Sequence, residues 1–520
     1  MSEAGAETAS ENEIELKLLV AAGDAATVWT LPAVKALLTK KPRARQVRTI
    51  YHDTAEADLM RAGCALRVRE TGGRFEQHLK TAGSVEGGLF KRHEWRSTLP
   101  SETPDPPALA PEAAALLAPF AGKLRPVFET DVERTDALLS NGVFATEIAV
   151  DLGVVRAFDA AGGIGCETGL AEIELEWRAG PAAHVFDLAL DIAARVPLVV
   201  GWQSKAERGY ALALALSPET RRAATLALAP DATVPQAMAA ILGEGMNHFL
   251  ANQPAFEAQG SVEAVHQMRI ACRRLRAALS LFRSHLPPDE IQSFRDGFRD
   301  VGRALGAVRD IDVLDAQVLA PLIEEPLTPD PVRERLALLR PRLAHRRAEA
   351  LARAGEIVRA PETARLLLRL GRRVTLLAAD DSGSPFGAFA DDILKIRHRK
   401  LARRGRKLKQ QGAADRHRVR IAAKKARYAA EFFRSRYGDK AMARYLEALG
   451  DLQDVLGDLN DIAGIADVLE RAIDDPRSAS LVAGYAMGWH TRRVRACLDE
   501  AEDLLHAIRK AEPFDSRAKR

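Results

Sequence analysis

The sequence predicts a multidomain α+β chain: a closed antiparallel β barrel with flanking helices, followed by an all-α bundle built from a duplicated unit. Three observations predict it. From Glu13 to about Tyr210, short stretches alternate apolar and charged residues with period two, separated by Gly, Pro and Asp. From about Pro235, long Ala-, Leu- and Arg-rich stretches with helical period run almost to the end. Within that second half, HQMRIACRRLR from His266 matches HRVRIAAKKAR from His417, and LGAVRD from Leu305 matches LGDLND from Leu456, both at an offset of 151 residues. Two blocks sharing one offset mark a duplication, and two repeats packed about a pseudo-twofold axis are the expected geometry.

In chain order, residues 1–10 are polar and acidic and read as a disordered leader, with no signal or transit peptide. The barrel domain is placed at 11–215. Its strands are EIELKLL, ALRVRE, RFEQHLK, KRHEWRSTL, GVFATEIAVDLG and LAEIELEWR, with helices or helical turns at 24–40, 111–121 and 181–195 and a Pro-rich loop at 100–112. Residues 216–231 read as a linker, and 232–515 as the helical domain, with repeats at about 232–380 and 381–515. Apolar residues make up 47% of the chain, which excludes wholesale disorder. Charges interrupt every apolar run before about 18 residues, so no transmembrane helix is expected and the cytoplasm is the default location. Cys64, Cys166, Cys272 and Cys497 lie far apart without a CxxC pair, which argues against a zinc site or a disulfide framework. The formal charge of +4 conceals a split: 23 basic and 31 acidic residues in 1–220, against 52 and 40 in 221–520. The basic half points to a polyanion partner.

In a strand, residues i, i+2 and i+4 share a face. Glu13, Glu15 and Lys17 therefore oppose Ile14, Leu16 and Leu18; Arg67 and Arg69 oppose Leu66 and Val68. Glu76, His78 and Lys80 share a face, as do Arg92, Glu94 and Arg96, and Glu147 and Asp151. Glu172, Glu174 and Glu176 oppose Ile173, Leu175 and Trp177. For any single strand, a solvated face is the simpler reading. For the set, three carboxylates in a row on one strand repel unless cations neutralise them. A closed barrel with charges inward and apolar residues outward accounts for the pattern. Clustered carboxylates suit Mg²⁺ or Mn²⁺, and clustered Arg and Lys suit a multiply charged phosphate. Together they are the equipment for phosphoryl transfer to water. No aromatic cluster is evident among the inward positions.

EIELK at 13–17 resembles the ExExK motif of the CYTH superfamily, the triphosphate tunnel metalloenzymes. The resemblance continues in order through YHDT at 51–54, ALRVR with Arg67 and Arg69, HLK with Lys80, and RHE with Arg92 and Glu94. Arg134, EIAVDLG with Asp151, EIELE at 172–176 and SKAERGY with Lys205 complete it, over about residues 11–212. It implies an eight-stranded antiparallel tunnel that binds a linear triphosphate. Glu13 and Glu15 with Glu172 and Glu174 would hold Mg²⁺ or Mn²⁺, with Asp151 and Glu176 as second choices. Lys17, Arg67, Arg69, Lys80, Arg92, Arg134 and Lys205 would hold the phosphates, with Glu13, Glu15, Lys17 and Lys80 in catalytic positions. His78 departs from the family pattern, where a small polar residue precedes the lysine, and Arg96 stands where some members carry Glu. Other members act on ATP, thiamine triphosphate or RNA ends; with no aromatic cluster to grip a base, inorganic tripolyphosphate is the expected substrate.

His266, Arg269, Arg273 and Arg276 fall at i, i+3, i+7 and i+10 on one helix face, and His417, Arg420, Lys424 and Arg427 repeat it, with Arg274 and Lys425 alongside. Apolar residues normally take such spacing. Residues 397–427 hold 14 Lys or Arg and one acid, Asp415. One such stripe could be a solvated face; its duplication favours an anion, with Asp310, Asp312 and Asp461 as possible ion-pair partners. The motifs HQMRIACRRLRA, LGAVRDIDVL, HRVRIAAKKARY and LQDVLGDLND resemble the CHAD domain, over about 232–512. The resemblance implies a basic groove for long-chain inorganic polyphosphate and association with polyphosphate granules. CYTH followed by CHAD resembles bacterial inorganic triphosphatases. Two alternatives stand beside an inorganic triphosphatase: a non-catalytic polyphosphate-binding protein, and an adenylate cyclase or thiamine-triphosphatase type of enzyme. Nucleic acid is disfavoured, because Tyr428 is the lone aromatic in the stripes.

Overall fold

A computed structural model describes residues 9–159, 161–437, 439–472 and 476–511. The chain forms two compact units: residues 1–221 with 246–264 and 358–376, and residues 222–245 with 265–357 and 377–520.

The first unit is built on ten strands: β1 (Ala9–Val20), β2 (Arg43–Asp53), β3 (Cys64–Thr71), β4 (Arg74–Thr81), β5 (Ser84–Glu86), β6 (Leu89–Leu99), β7 (Arg125–Ser140), β8 (Ala145–Phe158), β9 (Ile164–Ala179) and β10 (Leu198–Val200). Eight of them close a barrel in the order β1-β9-β8-β7-β2-β3-β4-β6, with β6 returning to β1, while β5 and β10 add short edges. Every pairing is antiparallel, and Glu13 sits opposite Arg92 at the closure. β1 begins at Ala9, inside the stretch expected to be a leader, and residues 1–8 lie outside the described residues.

Alternation sorts the two faces as expected. Leu16, Leu18, Leu66, Leu79, Ile148, Ile173 and Leu175 are buried on the outside of the barrel. Short helices α1 (Ala22–Ala25), α2 (Pro32–Leu37), α3 (Asp58–Arg61) and α4 (Pro111–Leu117) and the longer α5 (Ala183–Ala193) flank it. Leu59 of α3 and Ala113 and Leu117 of α4 complete one cluster with Leu66 and Leu79.

The interior is not charged throughout. Cross-strand register places Val47, Tyr51, Phe128, Val132 and Ala157 on the same face as Arg134 and Asp151. These residues, with Val155, Leu170 and Tyr210, form an apolar plug. Tyr51 stacks on Phe128 at 4.4 Å, and Phe128 meets Tyr210 edge-on at 5.0 Å. The YHDT segment is therefore largely architectural. Asp53 is fully buried and accepts from the backbone N–H of Thr54, Leu59 and Met60 and from the Tyr210 hydroxyl, the last at 2.8 Å.

Tyr210 belongs to α6 (Lys205–Ala213), which starts with a capping box: Ser204 Oγ accepts from Glu207 N at 3.1 Å, and Glu207 accepts from Ser204 N at 2.8 Å. α6 comes so near the barrel that a Cβ on Gly209 would lie 2.0–2.5 Å from the Phe128 ring. Gly209→Ala is expected to lower stability by about 1–3 kcal/mol, since the plug has no flexible atom to yield. A thermal midpoint unchanged from wild type would contradict that packing.

Besides α1–α6, the first unit includes the C-terminal part of α7 (Val234–Gln259), the start of α8 (Val262–Leu281) and most of α12 (Pro361–Ala378). Asn247 Nδ2 donates to the Val85 carbonyl at 2.5 Å, and Arg372 Nε donates to Asp187 at 2.5 Å.

The second unit is helical: α9 (Pro288–Val313), α10 (Ala320–Glu324), α11 (Asp330–Arg359), α13 (Phe386–Arg404), α14 (Ala413–Phe432), α15 (Asp439–Ala472) and α16 (Pro476–Lys510), with the remainder of α7, α8 and α12. Both ends of α14 lie 151 residues after those of α8, and α15 starts 151 residues after α9. The duplication thus extends from sequence to helix boundaries. It also explains the repeated Leu-Gly pairs. A Cβ on Gly306 would lie 3.4 Å from Arg269, and one on Gly457 would lie 3.6 Å from Arg420, so each repeat leaves room for the equivalent arginine. The side chains of Asn460 and Asp461, the end of the second motif, lie outside the described residues.

Candidate active site and anion basin

The carboxylates predicted for the tunnel separate into two groups. Asp151, Glu172 and Glu174 each present an oxygen within 4.8 Å of the others. They are placed side by side because Asp151 opposes Glu172 across β8 and β9, and Glu172 and Glu174 share a face. Lys205 reaches in from the first residue of α6 and contacts all three: Asp151 at 2.7 Å, Glu174 at 2.9 Å, and Glu172 through a short bond. Arg134 takes Asp151 in a fork at 2.7 and 2.6 Å and Glu174 at 2.7 Å, and Lys17 contacts Glu174 at 2.7 Å. Burial alone would raise these acids. For Asp151, Arg134 and Lys205 outweigh it and hold the carboxyl down at about 2. For Glu174, Lys17, Lys205 and Arg134 hold it well below the usual range.

Glu13, Glu15 and Glu176 form the second group. Glu13 pairs with Lys80 at 2.5 Å, and Glu15 with Lys17 at 2.8 Å. Glu176 opposes both Glu15 and Glu147 in register. Burial, with Glu13, Glu147 and Glu15 nearby, pushes it up to about 8 despite Arg178. Asp151, a second choice from sequence, therefore belongs to the tight cluster, while Glu13 and Glu15 stand apart from Glu172.

Of the predicted phosphate contacts, Lys17, Lys80, Arg134 and Lys205 are held by these acids. Arg67 pairs with Glu94 at 3.2 Å. Arg92 lies 3.8 Å from Glu207. Arg69 carries no ion pair among the described residues, and its Nε is buried without a hydrogen-bond partner. Burial, with Arg67 and Arg134 beside it, pushes it down to about 10. It is the tunnel cation most in need of an anion. Sequence reasoning missed Arg208, which contacts Glu172; its spacing of three from Lys205 on a helix was the available signal. It also missed an aromatic pair. Phe90 shares its face with Arg92, whose guanidinium stands 5.0 Å over the ring, and Trp202 lies 5.9 Å away.

In the second unit, the stripes of α8 and α14 line a basin of about 1060 Å³ with parts of α9 and α15. His266, Arg269, Arg273, Arg420, Lys424 and Arg427 line it, joined by Arg222, Arg309 and Arg434, which were not singled out from sequence. His417, Arg276 and Lys425 are not among its lining residues. Arg276 is instead beside Arg295 and Arg299, and Lys425 beside Arg397 and Lys400. Arg274 also lines the basin but is 7% exposed, paired with Glu431 at 2.6 Å and Glu244 at 3.4 Å and lying over the Phe432 ring at 5.0 Å. Its neighbour Arg273 turns about 100° away on the helix and stands 5.8 Å over Tyr428. Arg427 donates to Glu431 at 2.7 Å, and Arg269 lies 3.5 Å from Asp310. Asp312 pairs elsewhere, with Arg347 at 2.6 Å.

These features define a class: a closed antiparallel tunnel with charged side chains facing inward, joined to a helical unit with a basic basin. The family model of the CYTH domain matches residues 11–210, and that of the CHAD domain matches residues 240–470. The chain carries a CYTH domain followed by a CHAD domain. Among curated proteins it is 30% identical, over 167 residues, to an inorganic triphosphatase of Haemophilus influenzae. That match covers 31% of this chain and 44% of the relative, so the chain spans less than half of the relative's length. Among solved structures, it is similar to the CHAD domain from the plant Ricinus communis, at 32% identity and a TM-score of 0.49, over 56% of this chain and 97% of that one. It is also similar to PptA from Streptomyces chartreusis, at 17% identity and a TM-score of 0.42, over 53% and 100%. No helix among the described residues is long and apolar enough to cross a membrane.

Proposed function

We propose that the chain is a metal-dependent inorganic triphosphatase that cleaves tripolyphosphate to pyrophosphate and phosphate, and that its CHAD domain binds long-chain inorganic polyphosphate. The observation that carries the first part is the Asp151, Glu172 and Glu174 cluster set among tunnel cations. Its donors fit Mg²⁺ or Mn²⁺: three hard carboxylate oxygens converge, and a cation, the Lys205 ammonium, already sits among them. Bound there, the ion would supply Lewis-acid charge and an activated water. Arg69, Arg67, Lys80 and Arg92 are suited to hold and orient the chain of phosphates by charge-assisted hydrogen bonds. In hydrolysis, the water oxygen bonds to the terminal phosphorus as the bond to the bridging oxygen breaks. Phosphate and pyrophosphate leave, with the water's protons shared between products and solvent. Lys17 and Arg134, aimed at the same acids, limit charge repulsion as the substrate enters. The triphosphatase relative supports this reading, as does the basin for polyphosphate. We place the protein in the cytoplasm, on polyphosphate granules where these exist.

A second reading, an organic triphosphate, is favoured by one observation: the Phe90 and Trp202 pair beside Arg92 offers a ring surface inside the tunnel. Phosphate release from tripolyphosphate and from ATP, each with Mg²⁺ or Mn²⁺ and each with chelator, separates the readings. Fast metal-dependent release from tripolyphosphate and slow release from ATP is the expected result. The reverse preference would overturn it in favour of the organic substrate, and no release from either would leave a binding protein.

A further inference from the structure

His78 is distinguished by what its two ring nitrogens meet. It lies in β4 opposite Arg67 of β3 and Arg96 of β6, on the inward face, and is 2% exposed. Nδ1 stands 2.9 Å from Glu94 Oε1. Nε2 is buried with no hydrogen-bond partner, and the carboxylate of Glu76 lies 3.8 Å from it. The same Glu94 oxygen also accepts from Arg67 Nη2 at 3.2 Å, and the Lys80 ammonium lies 3.5 Å from it. One oxygen thus takes two hydrogen bonds with the Lys80 ammonium beside it, so the imidazole N–H helps decide where Arg67 and Lys80 rest.

The charges around the ring are closely opposed. Glu76 and Lys80 face it along β4, Arg67 and Arg69 from β3, and Glu94 and Arg96 from β6. Burial comes first in keeping it neutral, and Arg67 and Arg69 add to that; Glu76 and Glu94 pull the other way but do not prevail. A phosphate chain on Arg67 and Arg69 would cancel the opposing cationic field. An imidazolium would then have both N–H groups directed at carboxylates.

We propose that His78 is a positioning residue, orienting Lys80 and Arg67 through Glu94, and that it takes up a proton from solvent when a phosphate chain occupies the tunnel. The proton returns to solvent when the chain leaves, so no co-reactant is consumed. The proposal rests on the triphosphate reading of the tunnel.

The test is calorimetric titration of the full chain with tripolyphosphate at pH 7, with chelator and no divalent metal, in two buffers of different ionisation enthalpy. His78→Asn keeps an amide N–H for Glu94 but cannot titrate; His78→Leu lacks both properties. The expected result is that wild type takes up about half a proton more per chain bound than His78→Asn. His78→Asn should bind within about threefold of wild type, and His78→Leu about tenfold more weakly. Any anion bound by the helical basin contributes equally to all three proteins and cancels in the comparison. Equal proton counts in wild type and His78→Asn would overturn proton uptake, and wild-type affinity in a folded His78→Leu would overturn the positioning role. Failure of the wild type itself to bind would instead overturn the triphosphate reading.

Discussion

Glu174→Gln is expected to slow metal-dependent phosphate release from tripolyphosphate about a thousandfold or more, with the substitution nearly isosteric. Glu174 is the carboxylate that Lys17, Arg134 and Lys205 share. Without its charge, one of the three anionic donors becomes a neutral amide oxygen, and the three cations crowd Asp151, Glu172 and Glu15. Binding of a divalent ion then falls on two counts, a weaker neutral donor and more repulsion. The change also breaks a buried network, at a cost of about 3–5 kcal/mol, so the thermal midpoint must be measured beside the rate. Acid titration separates the two effects. Asp151 and Glu174 both have depressed values in the folded state. Their stabilisation is complete above the unfolded value of about 4; that of Asp151 is lost as pH falls toward about 2, and part of that of Glu174, held further down by its three cations, persists to lower pH. The wild-type midpoint should drop steeply over that window and that of Glu174→Gln less so. A variant that stays folded at neutral pH and keeps the wild-type rate would remove this cluster from the catalytic site.

The strands around this cluster are legible because one face of each is apolar and the other charged, as in EIELE at 172–176 of β9 and EIELK at 13–17 of β1, which brings in Lys17. Alternation does not reveal β2 and β7. In β2 the last five residues, from Thr49 to Asp53, are all buried, because Tyr51 enters the plug while its neighbours pack outside. When both faces are covered, period two vanishes from the sequence. The plug itself is illegible for a related reason: Val47, Phe128 and Val132 look like ordinary outward core residues until cross-strand register assigns them to the inside. The grouping of carboxylates is equally hidden. Glu172 joins Asp151 rather than Glu13 because β9 pairs with β8 along its whole length. In the helical half the repeat is legible from identity alone, and identity does not distinguish Arg273 from Arg274. Burial and pairing separate them: both border the basin, but Arg274 is buried and held by Glu431 over Phe432, while Arg273 stands over Tyr428 with no carboxylate partner among the described residues.

That separation makes the second large expectation specific. Replacing Arg273 and Lys424 together by Ala should weaken binding of long-chain polyphosphate about tenfold to a hundredfold near physiological salt. The two are equivalents at the repeat offset, and both line the basin. Arg273 carries no carboxylate partner among the described residues, only the Tyr428 ring. Removing two cations that neutralise phosphates should also flatten the dependence of log affinity on log salt, by about 0.7 for each cation. Arg274→Ala should behave differently. Its partners Glu431 and Glu244 would be left without their shared cation, and Glu244 is already raised by burial. The cost should appear as about 3 kcal/mol of stability, with the salt slope unchanged in the folded protein. Equilibrium binding across a salt series, with thermal melts of both variants, reads these effects apart. If Arg274→Ala flattened the slope and the double variant did not, the buried arginine would be the phosphate ligand and the roles of the two arginines would have to be exchanged.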